Sequence, residues 1–396
     1  MKNYRLHLSE GFKDTYGDEM LVKKEIEGKT LDIFAKYGYE LIKTPTLEYI
    51  DVFSKDGSQK PDLYNLINRQ GEVLSLCNDM TASIARFVCS NNSLPMGPKK
   101  YCYIADTFRY PRLYQGKNHQ FLQAGVEFIG DSSFEADIRV ISLAYETIKA
   151  CNVKDFTVHL GSSDFLNALF LDFGIDNDIK NKVYSLIDNK DYVTLRTTLE
   201  EVLDDDNANF LIDLMLKGGK LHYMEKLIAS LEGKSSKSKL VYLKQIYETL
   251  NLLGIDNIVF DFSIYSYAKY YTGIIFAIYV GGIGKTVVSG GRCDNLFKDY
   301  GKDLPDCGFG LDIDSLATYV LENNLINVKK RKCVSYIHDG ELIRATKENN
   351  ELRDAGVVVS EVHFNSLEEA LNYAKENGYQ AVMEYKDNTS KLWEVK

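Results

Sequence analysis

Polar and apolar residues alternate along residues 122–128, and this alternation predicts a β-strand with two different faces. Gln123, Gly125 and Glu127 share one face, whereas apolar side chains occupy the other. Together with the polar loop before it, the strand predicts a β-hairpin within residues 108–130. A glycine between two polar side chains leaves room for a small ligand on the backbone, and a carboxylate accepts from cations and N–H donors. An ordinary hairpin with one solvated face is the alternative.

Helical spacing of apolar residues occurs in two parts of the chain. Residues 19–37 predict an amphipathic helix that ends at Gly38, the usual position of a left-handed C-cap. Residues 163–254 predict six successive helices that carry no recognisable chemistry. Residues 333–396 predict the order β-α-β-α-β with a final hairpin, which is the pattern of a small α/β domain.

Composition places the chain among globular proteins and limits what it binds. Its 396 residues, 45% hydrophobic and 26% charged, are enough for two or three domains with separate cores. A net charge of −10 argues against a large nucleic-acid surface, because phosphate binding needs concentrated Lys and Arg. Seven cysteines occur without a C-x-x-C pair, which fits a reducing cytosol and gives no zinc site. Since no apolar stretch reaches about 18 residues, we expect a cytoplasmic protein that spans no membrane. We also expect that it needs no metal or cofactor.

Two short motifs have the chemistry to hold an amino acid. Asp79 and Thr81 place a carboxylate and a hydroxyl two residues apart, which suits a compact ammonium with three donors. Asp79 could instead simply cap the helix that is predicted after it. Tyr270 and Tyr271 offer a flat apolar wall and phenol hydroxyls, which suit an imidazole. The sequence alone leaves both roles of Asp79 open.

A glycine-rich segment at residues 281–286 ends in Gly-Lys-Thr, like a phosphate-binding loop. That pattern requires a glycine at position 279, where this chain has Tyr279. Val287 and Val288 continue as a strand, so bound phosphates would lack a helix N-terminus. We interpret the segment as a hairpin turn.

Four segments together resemble the class II aminoacyl-tRNA synthetases, and most specifically histidyl-tRNA synthetase. They are Phe-Arg at 108–109, Gln-x-Gly-x-Glu at 123–127, Tyr-Tyr-Thr-Gly at 270–273, and residues 307–316 in the place of motif 3. The resemblance implies an α+β fold in which helices flank an antiparallel sheet. It also implies a synthetase-like domain at residues 1–328 with a helical insertion at 163–254. Residues 333–396 would then form a truncated anticodon-binding-like α/β domain.

The same resemblance implies a histidine-binding pocket without a catalytic residue. Its members in this sequence are Asp79, Thr81, Arg109, Gln123, Glu127, Tyr270 and Tyr271. Asp79 and Thr81 would hold the ammonium group of histidine. Glu127 and the two tyrosines would contact its imidazole, and Arg109 or Gln123 would lie near its carboxylate.

The positions that activate the amino acid with ATP in histidyl-tRNA synthetase are altered in this chain. Ser315 stands in the place of the motif 3 Arg, and Ser266 in the place of a second Arg before the tyrosines. Pro111 replaces the Glu that reads adenine, and His119 replaces an Arg of the motif 2 loop, whereas Arg109 is retained. Loss of one such charge contact costs about 10²–10³ in rate. Two or three losses would leave a synthetase nearly inert.

The segment at residues 79–81, Asp-Met-Thr, resembles the regulatory subunit of ATP phosphoribosyltransferase, a relative of histidyl-tRNA synthetase. This resemblance implies a noncatalytic homodimer that joins short-form catalytic subunits in a hetero-octamer. It would raise phosphoribosyl transfer to ATP in histidine biosynthesis and carry feedback inhibition by histidine, and tRNA would not be a partner. Cys77 and Asn78, where an Arg-Pro pair is usual, leave the identity of the ligand open.

Two other functions stay open on the sequence alone. An active histidyl-tRNA synthetase would catalyse pyrophosphate exchange that depends on histidine and ATP. An amino-acid-binding adaptor for another partner would show neither this exchange nor co-purification with a short phosphoribosyltransferase.

Overall fold

The computed structural model describes residues 4–54, 63–110, 118–216, 219–264, 271–328 and 331–395. The chain divides into two compact units, Met1–Ile326 and Asn327–Lys396. Strands and helices are numbered below in chain order. Among the helices of the described residues, none is both long and apolar enough to cross a membrane.

A mixed eight-stranded sheet forms the centre of the first unit. Its strands are β1 (Glu40–Leu41), β5 (Lys99–Phe108), β6 (Gln120–Ile129), β7 (Phe156–Ser162), β8 (Ile258–Phe260), β9 (Ile274–Val280), β10 (Thr286–Arg292) and β11 (Asp306–Asp312). Their order across the sheet is β1-β5-β6-β11-β10-β9-β7-β8. Each of the six central strands is antiparallel to its central neighbours, whereas the edge strands β1 and β8 pair parallel with β5 and β7. The expected α+β architecture around an antiparallel sheet is confirmed.

The hairpin of β5 and β6 differs from the prediction in its first strand. We predicted that this strand lies after Phe108, but β5 ends there. The two strands pair over ten positions, from Lys99 opposite Ile129 to Phe108 opposite Gln120. Polar residues at both ends of β5 interrupt its pattern of apolar positions. The position of β5 is set by its pairing with β6, which the local sequence pattern does not reveal.

A separate three-stranded sheet lies between the first helix and the central hairpin in sequence. It contains β2 (Leu47–Tyr49), β3 (Asn65–Ile67) and β4 (Val73–Leu76) in the order β2-β4-β3. Strands β3 and β4 are antiparallel and form a hairpin. Gly71 takes a positive φ of 83° in its turn, where a side chain would be strained.

Four helices flank the main sheet, namely α1 (Gly17–Lys36), α2 (Met80–Ser90), α3 (Phe134–Ala150) and α10 (Ile313–Glu322). The helix predicted at residues 19–37 corresponds to α1. Lys23 of α1 forms a buried ion pair with Asp314 of α10, in which Nζ and Oδ1 are 2.6 Å apart. The other oxygen of Asp314 accepts a hydrogen bond from the backbone N–H of Leu122 at 3.0 Å. Both helices are thereby fixed near the start of β6.

Six helices follow β7, as the sequence predicts. They are α4 (Ser163–Asp172), α5 (Asn177–Asp188), α6 (Tyr192–Glu200), α7 (Asp205–Leu216), α8 (Leu221–Ser230) and α9 (Ser236–Leu252). Aspartate caps begin two of them, since Asp176 accepts from the N–H of Ile179 and Asp191 from that of Thr194. The Tyr242 hydroxyl of α9 donates to Asp137 Oδ2 of α3 at 2.7 Å. This bond connects the helical segment to the helices of the main sheet.

The second unit is a small α/β structure with the predicted order of elements. It contains β12 (Lys332–Ile337), α11 (Leu342–Asp354), β13 (Val358–Glu361), α12 (Leu367–Glu376), β14 (Ala381–Lys386) and β15 (Thr389–Glu394). The sheet order is β13-β12-β14-β15, in which β12 is parallel to both neighbours and β15 is antiparallel. Its relation to an anticodon-binding domain stays a prediction.

Candidate functional site

A small polar cleft opens where β5, β6, β10 and β11 meet the start of α2. It is lined by Asp79, Thr81, Tyr103, Arg109, Gln123, Glu127, Tyr271, Ser289, Gly291, Cys293, Gly308, Phe309 and Gly310. Six of the seven residues that the sequence predicts for the site therefore surround one cleft. The seventh, Tyr270, lies outside the described residues. Their role in binding stays a prediction.

Glycines of β11 make room for the polar side chains of β6. Gly308 pairs with Glu127 and Gly310 with Gly125 across the two strands. A Cβ atom built on Gly308 would lie 2.1 Å from Glu127 Oε2, and one on Gly310 would lie 2.5 Å from Gln123 Nε2. The side chains of Gln123 and Glu127 therefore lie across bare backbone, as expected for strand glycines beside a close approach.

Tyr103 is a member of the cleft that the sequence analysis missed. It pairs with Gly125 across β5 and β6, and its hydroxyl donates to Gln123 Oε1 at 3.1 Å. A Cβ atom on Gly125 would lie 2.4 Å from this hydroxyl, so the glycine also makes space for the phenol. The Gln-x-Gly-x-Glu spacing indicates that a side chain could lie over Gly125. Only the register between β5 and β6 shows that this side chain is Tyr103.

Asp79 both caps a helix and lines the cleft, whereas its role in holding an ammonium group stays a prediction. Its carboxylate accepts a hydrogen bond from the N–H of Thr81 at 2.9 Å and caps α2, and it also lines the cleft. The hydroxyl of Thr81 donates to Glu127 Oε1 at 2.5 Å. The start of α2 and the middle of β6 are thus joined by a direct bond at the cleft wall.

Glu127 and Asp306 form a buried pair of carboxyl groups. Burial is the main cause that raises the pKa of Glu127 well above its usual value, and the charge of Asp306 adds to it, while the hydrogen bond from Thr81 opposes it. Burial likewise raises the pKa of Asp306 to about 7. No sequence motif marks Asp306, because only the pairing of β6 with β11 brings it near Glu127.

Tyr271 and Arg109 both line the cleft. The ring of Tyr271 packs over Gly291, where an added Cβ atom would lie 3.0 Å from it. The Arg109 guanidinium donates from Nε to the carbonyl oxygen of Asn78 at 3.1 Å and lies 5.3 Å from the ring centre of Phe121. These contacts fix the position of the guanidinium at the cleft.

Two positions where histidyl-tRNA synthetase has an Arg are structural here. Ser315 lies in the first turn of α10, where its hydroxyl donates to Asp312 Oδ2 at 2.6 Å. His119 is buried, and its Nδ1 atom is hydrogen-bonded to the hydroxyl of Tyr64. Pro111 and Ser266 lie outside the described residues. Neither Ser315 nor His119 offers a fixed positive charge of the kind a phosphate needs.

Arg292, of the Gly-Gly-Arg segment, is directed away from the cleft into a network of acids. Its Nε donates to Asp137 Oδ1 at 2.9 Å, and its Nη1 donates to Asp294 Oδ1 at 3.1 Å. Arg292 and Asp137 are both buried, and the Arg292 pKa is raised by the Asp137 charge even though burial opposes it. Among the described residues that line the cleft, Arg109 is therefore the only cationic one.

The segment that resembles a phosphate-binding loop is a turn, as predicted. It connects the antiparallel strands β9 and β10, and Lys285 forms an exposed ion pair with Asp312 at 2.9 Å. No cluster of three or more His, Cys, Asp or Glu side chains suited to a metal ion occurs in the described part of the chain.

Comparison with known families and proteins gives a consistent result. The family model for histidyl-tRNA synthetase matches residues 11–316. The ATP phosphoribosyltransferase regulatory subunit of Clostridium kluyveri is 31% identical, over 94% of this chain and 97% of its own length. That of Caldanaerobacter subterraneus subsp. tengcongensis is 32% identical, over 92% of this chain and 96% of its own length.

Solved structures show the same relationship in three dimensions. An ATP phosphoribosyltransferase regulatory subunit/histidyl-tRNA synthetase from Bacillus halodurans C has a TM-score of 0.84 and 27% identity, and the match covers 97% of this chain and 99% of that one. Histidyl-tRNA synthetase from Nostoc sp. PCC 7120 shares the fold at a TM-score of 0.82 and 20% identity, over 98% of this chain and 95% of that one. The chain therefore belongs to the histidyl-tRNA synthetase-like family that includes the ATP phosphoribosyltransferase regulatory subunits.

Proposed function

We propose that this chain is a regulatory subunit of ATP phosphoribosyltransferase, which acts in histidine biosynthesis and does not catalyse the transfer itself. Its curated relatives carry that name over nearly their whole length. In this proposal the chain forms a homodimer and joins a short-form catalytic subunit in a hetero-octamer. It raises the activity of that subunit, and histidine bound in the cleft supplies feedback inhibition.

The observation that carries the proposal is the charge of the cleft. Its described lining includes the carboxyl groups of Asp79 and Glu127 but only one cationic side chain, Arg109. Adenylation develops negative charge on a phosphate, so an enzyme that performs it aims several fixed positive charges at that position. This cleft instead suits the ammonium group of a free amino acid.

The contacts around Thr81 support a ligand of amino-acid size. The hydroxyl of Thr81 lies between the two expected subsites, because it follows Asp79 by two residues and donates to Glu127 at 2.5 Å. A ligand whose ammonium reaches Asp79 and Thr81 would therefore bring its side chain beside Glu127 and Tyr271. Its carboxylate would lie toward Arg109 or Gln123, which complete the wall.

Feedback in this proposal needs a difference in affinity. Histidine can shift the assembly toward an inhibited form only as far as it binds that form more tightly than the active one. Reciprocally, the catalytic partner changes the affinity of the cleft for histidine by the same factor. Histidine titrations with and without the partner should therefore differ.

The direct test combines this chain with a purified short-form catalytic subunit. We expect the two proteins to co-purify, the rate of phosphoribosyl transfer to rise, and histidine to reverse the increase. Calorimetric titration of this chain alone should show binding of histidine and none of ATP. Pyrophosphate exchange that depends on histidine and ATP would contradict the proposal in favour of an active synthetase. Histidine binding without any effect on the transferase would favour an adaptor for another partner.

A further inference from the structure

The side chain of Asp306 lies beside that of Glu127 as a result of strand register. Gly308 is directly opposite Glu127, and Asp306 precedes Gly308 by two residues, so it points to the same face of the sheet. Because Gly308 has no side chain, Glu127 Oε2 occupies the space where a Cβ atom would lie. The Glu127 carboxyl thereby lies beside the Asp306 carboxyl, whose charge raises the pKa of Glu127.

Among the described residues, no cationic side chain forms an ion pair with either carboxyl. Asp306 is fully buried, Glu127 is 3% exposed, and no amide or hydroxyl of the described residues donates a hydrogen bond of good geometry to either Asp306 oxygen. The positive charge of Arg292 lowers the pKa of Asp306 in part, but its guanidinium is bound by Asp137 and Asp294. Two adjacent carboxylates in such surroundings cannot both ionise, so they hold a proton between them.

The other titratable groups around the pair do not replace this proton. Asp79 and Asp294 add negative charge, which favours protonation of the pair. The remaining groups are phenols and thiols whose pKa is raised mainly by burial, so they stay neutral at physiological pH, namely Tyr39, Tyr103, Tyr271, Cys293 and Cys307. The charge of the pair therefore depends on pH and on whatever cation enters the cleft.

We propose that Glu127 and Asp306 form a charge-exchange pair, in which a cationic ligand group displaces the proton that the two carboxyls share in the empty cleft. Asp306 is then a specificity-determining residue, although it does not line the cleft itself. The ammonium of an amino acid, placed between Asp79 and Thr81, adjoins Glu127 through the Thr81 hydroxyl. The proton leaves to solvent as the positive group enters, so ligands without a positive charge bind poorly. This inference rests on the proposed function, since it assigns the selectivity of the same cleft.

The substitution Asp306→Asn tests the pair with little change of shape. An asparagine amide can donate to Glu127, so the variant offers this carboxyl a neutral neighbour while it removes the shared proton. Asp303→Asn is the matched control, because Asp303 precedes β11 and its side chain is 78% exposed. Both variants lose one carboxylate, but only the first changes the pair.

Calorimetric titration with histidine between pH 6 and 8, in buffers with different heats of ionisation, measures the proton release. We expect the full chain and Asp303→Asn to release about one proton per ligand near pH 6.5, with affinity rising on the order of tenfold per pH unit up to pH 7.5. Asp306→Asn should release fewer protons per ligand, by about half a proton or more, and its affinity should vary less with pH. The imidazole and ammonium of the ligand titrate equally in all three proteins, so the difference reports the pair. Equal release from the full chain and Asp306→Asn would overturn the inference.

A ligand comparison tests the selectivity. Imidazolepropionate lacks the ammonium of histidine but keeps its ring and carboxylate. The full chain should bind histidine at least about 100-fold more tightly than imidazolepropionate, and Asp306→Asn should reduce this ratio. An unchanged ratio in the variant would contradict the role of Asp306.

Stability measurements test the pair without any ligand. The pKa of Asp306 is raised in the folded chain, so its deprotonation destabilises the fold as pH rises toward 7. The urea midpoint of Asp306→Asn relative to the full chain should therefore increase from pH 5 to pH 7 and then level off, whereas Asp303→Asn should show no such trend. A difference that does not vary with pH would refute the pair. If the difference in urea midpoint varies with pH but histidine gives no binding heat, the pair is supported and histidine as the ligand is contradicted. The two conclusions are therefore tested separately.

Discussion

The cleft and the positions where a synthetase would hold ATP differ in what their side chains contact. In the first, around Thr81 and Glu127, polar side chains meet one another and leave space above strand glycines. In the second, Ser315 and His119 form hydrogen bonds within the fold, to Asp312 and Tyr64. The buried Arg292 is likewise bound by acids. The difference shows that polar side chains are kept around a cleft in the first region, whereas the described positions of the second region only stabilise the fold.

The largest expected effect comes from releasing Arg292. Asp137→Ala removes the buried carboxylate that binds this guanidinium at 2.9 Å and leaves it the more exposed carboxylate of Asp294. Breaking a buried ion pair by removing one partner costs about 3–5 kcal/mol. We expect the free energy of unfolding in urea to fall by this amount. Glu200→Ala is the control, because it breaks an exposed ion pair with Arg196 that is worth about 1 kcal/mol or less. Similar losses from both variants would show that Arg292 is not held as described.

Removal of the Glu127 carboxyl tests the first region directly. Glu127→Ala should weaken histidine binding by at least about 100-fold, or about 2.7 kcal/mol, because it removes the acid that joins the two subsites. Calorimetry measures the affinity, and size-exclusion chromatography checks that the assembly of the chain is unchanged. Glu322→Ala, at the exposed end of α10, serves as the control. Unchanged affinity in Glu127→Ala would place the ligand elsewhere.

One added carbon at Gly308 tests the space above the strands. A Cβ atom there would lie 2.1 Å from Glu127 Oε2 and 2.4 Å from the carbonyl oxygen of Val126, so Gly308→Ala should destabilise the fold by about 1–3 kcal/mol. It should also displace the Glu127 carboxyl and weaken histidine binding about tenfold.

The matched control for Gly308 is Gly28. It lies within α1 with no atom within 4 Å of an added Cβ, so Gly28→Ala should raise stability by about 0.5–1 kcal/mol. Urea unfolding of both variants gives the comparison. A neutral Gly308→Ala would show that Glu127 moves aside at little cost.

The smallest expected effect sharpens the view of the second region. The double variant Ser266→Arg, Ser315→Arg restores two cations of the synthetase pattern, yet we expect no histidine-dependent pyrophosphate exchange above background. Pro111 and His119 still differ from that pattern, and such groups act as a unit. An authentic histidyl-tRNA synthetase assayed in parallel provides the positive control. Measurable exchange from the double variant would count against the argument from several combined losses.

Local pattern was enough to predict much of the fold and part of the cleft. The alternation in β6 correctly placed Gln123 and Glu127 on one face, and helical spacing located α1 and the six helices after β7. Each of these features depends on residues close together in sequence. The same reasoning identified the turn between β9 and β10.

The rest of the cleft depended on contacts between distant residues. Tyr103 and Asp306 become members only through the register of β5 and β11 with β6, which no local pattern specifies. For the same reason β5 was misplaced at Phe108. The two roles of Asp79 could not be separated from sequence, because the helix cap and the cleft use the same side chain.

That shared carboxylate has a thermodynamic consequence. The Asp79 carboxylate accepts a hydrogen bond from the N–H of Thr81. A group in the cleft that binds this carboxylate would therefore also affect the first turn of α2. This helix packs through Ile84 and Val88 into the core that contains Phe297, between β10 and β11 in sequence. Ligand binding in the cleft and the packing of α2 against its core would consequently be coupled, and each would change the free energy of the other by the same amount.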